Sequence, residues 1–414
     1  MKIIIQKFGG TSLATQELRE KVAAIVKKSK EEGLAPVVVV SAIGRNEDPY
    51  ATDTLLNMIK KTNTNPSLRE TDMLLACGEL ISGVLLVNQL LAMDVKAHYM
   101  SGQQAGIVTD GQYGAAHILY VDVKNLISLL ENNITPVVAG FQGVSENNEI
   151  TTLGRGGSDI TASALGAALQ ADIVDIFTDV EGVMTADPRI VKNARLLDAV
   201  TYNEICQLAR EGAKVVHPRA IEIAMQGNIP LRVRSTTQLD SAGTLVTNSL
   251  RSAYGAAPMI RDRLITGVTY ASHIVQVKIG NDTLENEVAD IQLKVFQALA
   301  KQDISVDFIN VQPNMLVFTV PEDLAEVTVK ILNDIDIFPH LEFNCAKIAV
   351  VGAAMTGVPG IMAKILEALR DHNIPLLQSG DSYTNIWCLV AGKHMEEALA
   401  ALHDKFALGK NSDG

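Results

Sequence analysis

Basic residues are in deficit in this chain: 35 Lys and Arg stand against 47 Asp and Glu, a net charge of −12. That excludes the broad basic face that nucleic acid or an anionic membrane would require. It leaves room for a small anionic ligand, because local lysines, arginines and backbone N–H groups decide that. Cysteine is scarce, and Cys77, Cys206, Cys345 and Cys388 form no C-x-x-C pair. A disulfide framework and a zinc site are therefore disfavoured, and the four are expected to be buried thiols in a reducing compartment. Long apolar runs are also missing. The longest uncharged run, 348–363, is too short for a bilayer and is broken by Gly352, Gly357, Pro359 and Gly360. Met1 leads straight into a strand pattern, so no secretory signal is expected and the predicted location is cytoplasmic. There is no Walker motif, no Gly-x-Gly-x-x-Gly before a helix, no protein-kinase signature and no metal-ligand spacing.

What is present is a globular composition, 47% hydrophobic and 20% charged over 414 residues, long enough for two or three domains. Residues 3–5, 37–40, 137–141, 173–177 and 231–233 are continuous runs rich in Val and Ile. Strands of a parallel sheet read this way when helices cover both faces. Between the first two runs, Leu18, Val22, Ile25 and Val26 form one apolar stripe of a helix that Gly33 and Pro36 should end. The pattern is βαβ, and the predicted class is α/β.

Residues 248–258 turn small and polar, as a linker does. Beyond them the chain repeats itself at a spacing of 70: 295–299 (VFQAL) aligns with 365–369 (ILEAL), and 316–320 (LVFTV) with 386–390 (IWCLV). Each copy reads strand, helix, strand, strand, helix, a split βαβ unit.

Three segments carry chemistry. The first strand ends in Lys7-Phe8-Gly9-Gly10-Thr11-Ser12. Two glycines allow close backbone approach, a following helix N-terminus favours an anion, and Lys7 adds a full charge. The second, Gly154-Arg155-Gly156-Gly157-Ser158-Asp159, again opens a helix. Arg155 suits a carboxylate and Asp159 an ammonium group, so one turn offers partners to both ends of an α-amino acid. The plainer alternative makes Asp159 a helix N-cap and Arg155 solvated. The third, Thr178 to Arg189, is a polar loop at the carboxyl end of a strand, the usual ligand edge of an α/β sheet. Lys214 supplies a second candidate cation. Phosphoryl transfer needs mainly positioning and charge neutralisation, and two glycine turns with two lysines are suitable parts.

Residues 7–12, 39–42, 77–79, 140–141, 154–159, 178–189 and 212–219, in that order, resemble the aspartate kinase family. The C-terminal repeat looks like the family's tandem ACT domains. The resemblance implies a three-layer αβα amino-acid kinase domain with a mainly parallel sheet at 1–247, a linker at 248–263, and ferredoxin-like βαββαβ ACT domains at 264–340 and 341–410. It implies transfer of the γ-phosphate of ATP to the β-carboxylate of L-aspartate, the first step toward lysine, threonine and methionine. Lys7 would neutralise the phosphoryl group, with Phe8, Gly9 and Gly10 beside it. Arg155 would hold the substrate carboxylate, Asp159 and Glu79 its ammonium, and Thr52, Gly156, Gly157 and Ser158 would complete the pocket. Thr178, Asp179, Met184, Thr185, Ala186, Asp187, Pro188, Arg189 and Lys214 would surround ATP, with Mg²⁺ held mainly by the nucleotide's phosphates.

In the second repeat the turn at Met355, Val358, Pro359 and Gly360, with Asp381, resembles an ACT effector turn. The first copy has Ala289-Asp290 where the second has Pro359-Gly360, so the two are not expected to bind alike. Lysine, threonine or diaminopimelate would be the effector; the phrase at 377–387 looks most like diaminopimelate-sensitive Gram-positive forms. Paired ACT units imply at least a homodimer. The alternatives are a glutamate or acetylglutamate kinase of the same fold, and a non-catalytic amino-acid sensor.

Overall fold

A computed structural model describes residues 1–213, 215–238, 241–248, 264–280, 288–353, 355 and 357–409. The side chains of Val288 and Ala289, Lys214, and all of the expected linker but Asn248 lie outside them. Contacts divide the chain into two units. The first holds residues 1–184, 196–210 and 214–262; the second holds 185–195, 211–213 and 263–414.

The first unit opens with β1 (Lys2–Phe8), α1 (Gln16–Glu31), β2 (Leu34–Val40), α2 (Thr52–Thr62), α3 (Leu68–Ala92) and β3 (Ala97–Met100). A hairpin of β4 (Ile107–Thr109) and β5 (Ile118–Val121) precedes α4 (Lys124–Glu131), β6 (Thr135–Ala139), β7 (Gln142–Ser145), β8 (Ile150–Thr152), α5 (Gly157–Leu169) and β9 (Ile173–Thr178). It closes with β10 (Ala199–Val200), α6 (Tyr202–Arg210), α7 (Pro218–Gln226), β11 (Leu231–Ser235) and β12 (Thr244–Val246). Eight strands make one sheet in the order β10-β12-β11-β9-β1-β2-β6-β3, parallel except between β11 and β12. The expected strands are all in it. Phe8 and Phe177 face a core with Val22, Val26, Leu86 and Leu90 of α1 and α3. Ile5 and Val174, on the opposite face, meet Gly166 of α5. This is the three-layer arrangement. A second sheet, β5-β4-β7-β8, was not foreseen.

Two local expectations need correction, and one helix needs placing. Gly33, at φ +78°, does follow α1, but Pro36 lies inside β2, opposite Ile4. Pairing of β2 with β6 begins only at Val38, so the proline sits where one side of the strand is free. Cys77 is exposed and Cys206 half-buried; only Cys345 and Cys388 are buried. Finally, α3 is by length and composition apolar enough to cross a membrane. It buries one face, including Asp72, Leu75, Glu79, Ser82 and Leu86, and exposes Met73, Cys77, Leu80, Val84 and Leu91 on the other. Its polar buried residues turn toward protein, as a core helix's must.

The second unit contains β13 (Gly267–Gly280), α8 (Val288–Ala300), β14 (Asp307–Gln312), β15 (Met315–Pro321) and α9 (Ala325–Asn333), then β16 (His340–Val351), α10 (Ile361–Asp371), β17 (Gln378–Asp381), β18 (Asn385–Ala391) and α11 (Met395–Lys405). The repeat's element order is as read. Its aligned positions do the same work: Val295, Leu299, Phe318 and Val320 fill the core of the first copy, Ile365, Leu369, Cys388 and Val390 that of the second. The two copies share one antiparallel sheet, β14-β15-β13-β16-β18-β17. The long strands do this by exchange. Residues 274–280 of β13 pair with β15 of their own copy, while 267–271 pair with 347–351 of β16; residues 340–342 of β16 return to pair with 276–278. The irregular junctions carry His273 and Asn344 in the left-handed region (φ 58° and 52°), which bends each strand from one copy to the next.

Candidate active site

Parallel strands bring their carboxyl ends to one edge, and there the sheet places five loops side by side. They follow β11, β9, β1, β2 and β6, adjacent in the sheet order. The loop after β1 begins at Gly9, whose N–H donates to the Phe177 carbonyl (3.3 Å). Gly10 then passes so close to the loop after β2 that a Cβ on it would lie 2.3 Å from the Ala42 carbonyl oxygen. No other residue fits that approach. Ser12 is fastened to Thr236 after β11 by a hydroxyl contact of 2.6 Å.

The second turn leaves β8 and enters α5. Gly156, the residue preceding the helix, has φ +70°, and a Cβ there would meet the His217 Cβ at 2.3 Å. Because Gly156 occupies the cap position without a side-chain bond, Asp159 is not an N-cap. It stands in the first turn of α5, and its Oδ1 lies 2.7 Å from the Lys7 Nζ. Both side chains are only 12% exposed. The two glycine turns thus meet through a partly buried ion pair. Among the remaining members of that turn, Gly157 and Ser158 are buried and Arg155 is exposed.

Glu79 is buried on α3. Its Oε1 accepts the Ala42 N–H (2.9 Å), while Oε2 is buried and has no hydrogen-bond partner among the described residues. Burial pushes its carboxyl up to about 8. An orphaned acceptor beside the loop that touches Gly10 suits an incoming donor. Thr52 is half-buried at the start of α2.

The nucleotide candidates divide. The Phe8 ring is buried and stacked on Phe177 (centroids 4.7 Å apart), so only its main chain is open to a ligand. Thr178 donates to Asp179, which pairs with Arg45. Met184 is half-buried and bridges to Leu196. The rest of the segment belongs to the second unit. Thr185 is fully buried, 2.9 Å from the His403 Nε2, and Ala186 lies in that unit's core. Their side chains are committed to packing, which leaves the main chain of these two residues as the part open to a ligand. Asp187 is gripped by Arg189 (2.6 Å), which holds its carboxyl below the usual range, and Pro188 and Arg189 are exposed. Lys214 lies outside the described residues.

Sequence reasoning missed Arg45, in the loop after β2, which pairs with Asp179. It also missed the part played by Arg219, which donates to the Leu153 and Ala116 carbonyls (3.2 and 2.8 Å). No local pattern marks that residue.

In the second unit, Met355, Val358, Gly360 and Asp381 line a cavity of about 710 Å³ with Met362, Ser382 and Tyr383; Pro359 is not in its wall.

Residues 2–235 match the model of the amino acid kinase family and residues 340–404 that of an ACT domain. The fold and the doubled glycine turn thus define a small-molecule kinase domain joined to ACT units. Aspartokinase 1 of Bacillus subtilis (strain 168) is 48% identical over 410 residues, covering 99% of this chain and all of its own. An aspartokinase of Geobacillus stearothermophilus is 39% identical, covering 100% of this chain and 99% of its own. E. coli aspartokinase III, solved with aspartate and ADP, superposes with a TM-score of 0.77 at 25% identity over 98% of this chain and 99% of its own. The same enzyme with lysine and aspartate gives 0.75 at 26% identity, with the same coverage. The chain belongs to the aspartate kinase family.

Proposed function

We propose that this chain transfers the γ-phosphoryl group of ATP to the β-carboxylate of L-aspartate, releasing ADP and 4-phospho-L-aspartate. The observation that carries the reading is the 2.7 Å Lys7–Asp159 pair, which ties the anion-favouring turn to the amino-acid turn at one sheet edge. The substrate's β-carboxylate oxygen is the nucleophile, so no side-chain nucleophile is needed. Lys7 neutralises charge on the transferring group, and Gly9 and Gly10 let backbone N–H groups approach it. When aspartate binds, its ammonium competes with Lys7 for Asp159 and meets the orphaned Glu79 oxygen; its α-carboxylate meets Arg155. Thr52, Gly156, Gly157 and Ser158 shape the pocket.

ATP is assigned to Phe8 (main chain), Gly9, Gly10, Thr178, Asp179, Met184, the 185–189 backbone with Arg189, and Lys214. Mg²⁺ accompanies the nucleotide and supplies charge neutralisation on its phosphates. An amino-acid effector occupies the cavity beside Gly360 and Asp381; lysine, threonine and diaminopimelate are the candidates, and the product feeds their synthesis. That E. coli aspartokinase III was solved with both lysine and aspartate supports an effector distinct from the substrate. The exposed apolar face of α3 and the ACT pair support at least a homodimer, and a cytoplasmic location fits this reading.

The deciding experiment incubates the protein with ATP, Mg²⁺ and hydroxylamine to trap the acyl phosphate. L-aspartate, L-glutamate and acetylglutamate are compared, each with and without the three effectors. Hydroxamate from aspartate alone is expected. Equal or greater yield from a longer acid would reassign the substrate, and none from any acid would favour the sensor.

A further inference from the structure

Two charged side chains hold the chain where it enters the amino-acid turn. β8 ends at Thr152, two residues before Gly154. Asp72 of α3, only 1% exposed, takes hold of that end. Its Oδ2 accepts the Thr152 N–H (2.8 Å) and the Gly114 N–H (2.9 Å), and its Oδ1 accepts the Thr152 hydroxyl (2.8 Å). Arg219, the second residue of α7, holds the next residue: its guanidinium donates to the Leu153 carbonyl (3.2 Å) and to the Ala116 carbonyl (2.8 Å). The Ala116 N–H donates to the Thr152 carbonyl (2.9 Å), and the Leu153 N–H to the Phe141 carbonyl (2.8 Å). Every main-chain N–H and C=O of residues 152 and 153 is therefore bonded before the glycines begin.

All of these groups belong to the first unit. Neither Asp72 nor Arg219 forms an ion pair among the described residues, so each directs its charge at neutral groups of the main chain. Hydrogen bonds of that kind are roughly twice as strong as neutral ones. A planar fork also spans two carbonyls that a single ammonium cannot hold equally. A buried carboxylate with no counter-ion is costly, and three good donors are what offset it. That cost is met at the residues that lead into Arg155 and Asp159.

We propose that Asp72 and Arg219 are positioning residues that fix the entry of the amino-acid turn and thereby set the length of acid the site accepts. The proposal rests on the substrate reading above. In that reading Arg155 and Asp159 hold the two groups on the α-carbon, and Lys7, paired with Asp159, marks where the phosphoryl group is met. The reach from one to the other depends on where the turn starts. Glutamate, one methylene longer, is accommodated only if the turn gives way, and the fully bonded 152–153 stretch denies it that freedom. A rigid pocket gains about 10–200-fold from one methylene. A loosened entry gives part of that up.

The test compares kcat/KM for L-aspartate and L-glutamate, with ATP, Mg²⁺ and the hydroxylamine trap, on the full-length protein. Arg219→Lys and Asp72→Asn should each raise the aspartate KM by about tenfold, the equivalent of one charge-assisted hydrogen bond, and keep the ATP KM within about twofold. Each should also lower the aspartate-to-glutamate ratio by about tenfold. Arg219→Met, which keeps neither carbonyl, should lower it further, so that lysine acts as a partial rescue. Thr152→Val removes only the hydroxyl bond to Asp72; it should shift the ratio in the same direction by less, and it serves if Asp72→Asn does not fold. Leu126→Ala, in the buried face of α4, is the control: it should lower the melting temperature and leave the ratio alone. An unshifted ratio in Arg219→Lys and Thr152→Val, an equal shift in Leu126→Ala, or equal damage to both KM values overturns the proposal. Failure of the substrate reading looks different: the wild type itself would then show no preference for aspartate.

Discussion

The two halves of the proposed site are built on different terms. Among the described residues, the amino-acid turn, 153–159, is bonded within the first unit: Leu153 to Phe141, Gly157 to Gly154, Asp159 to Lys7. The nucleotide segment begins in the same unit at Thr178 and then leaves it, with residues 185–195 packing into the second. Ala186 and Val191 help fill the core that holds Ile365 and Leu402. One half is preset by local geometry, and the other takes part of its shape from ACT packing.

The largest expected effect tests whether the halves meet at all. Lys7→Met should lower kcat by about 10²–10³, the range seen when a single charge-stabilising group is removed. It also strands a nearly buried Asp159, so the melting temperature should fall as well. Steady-state kinetics and calorimetry on the same preparation separate the two. A variant that keeps more than a tenth of wild-type kcat breaks the picture of two converging turns.

Next in size is a pair of arginines, one from each half. Arg155→Met should raise the aspartate KM about tenfold to a hundredfold, the loss of a charged hydrogen-bonding partner. Arg189→Met should instead raise the ATP KM, by less, because Arg189 is 84% exposed and shared with Asp187. Crossed effects, with each variant damaging the other substrate's KM, would mean the division between halves is wrong.

Glu79 sharpens the comparison through pH. Its carboxyl is raised by burial to about 8, so near neutrality much of it is protonated and cannot attract an ammonium group. The aspartate KM should fall as pH rises from 7 to 8.5, and Glu79→Gln should flatten that slope while leaving the ATP KM alone. The stability sign is opposite. Below the unfolded value both states carry the proton; between it and about 8 only the unfolded chain ionises, so wild-type stability declines across that window and then levels. The Glu79→Gln variant, with no carboxyl to ionise, should lack this decline.

Much of this was legible in the sequence because it was local. The strands announce themselves as unbroken β-branched runs, and the glycine turns as close approaches before helices. The repeat shows because Val295 and Ile365, or Leu299 and Leu369, serve the same core positions. What stayed hidden depends on partners far along the chain. Nothing near Lys7 names Asp159, and nothing near Arg219 names Leu153. The α3 pattern is apolar nearly all round, so neither the burial of Glu79 nor the exposure of Cys77 could be read from periodicity. Residues 185–189 look like an ordinary polar loop, and only packing reveals that Thr185 and Ala186 are core. The exchange between β13 and β16 leaves no trace except length.

The smallest effect concerns that packed segment. His403 on α11 is fully buried, and its Nε2 meets the Thr185 hydroxyl at 2.9 Å. Desolvation lowers its pKa, so the folded unit holds it neutral. The unfolded chain takes up a proton below about 6.5. Stability from this group is therefore complete above that value and is lost as pH falls toward the lower folded value. His403→Gln keeps a side chain able to bond Thr185 but cannot titrate. Scanning calorimetry at pH 7.5 and 5.5 should show the wild type losing more melting temperature on acidification than the variant, by a few degrees. At pH 7.5 the aspartate KM should be equal in both, since the segment serves the nucleotide half. An equal acid loss in both proteins would show that the Thr185–His403 contact does not control how the segment is held, and the contrast between a preset half and a borrowed one would then rest on Ala186 and Val191 alone.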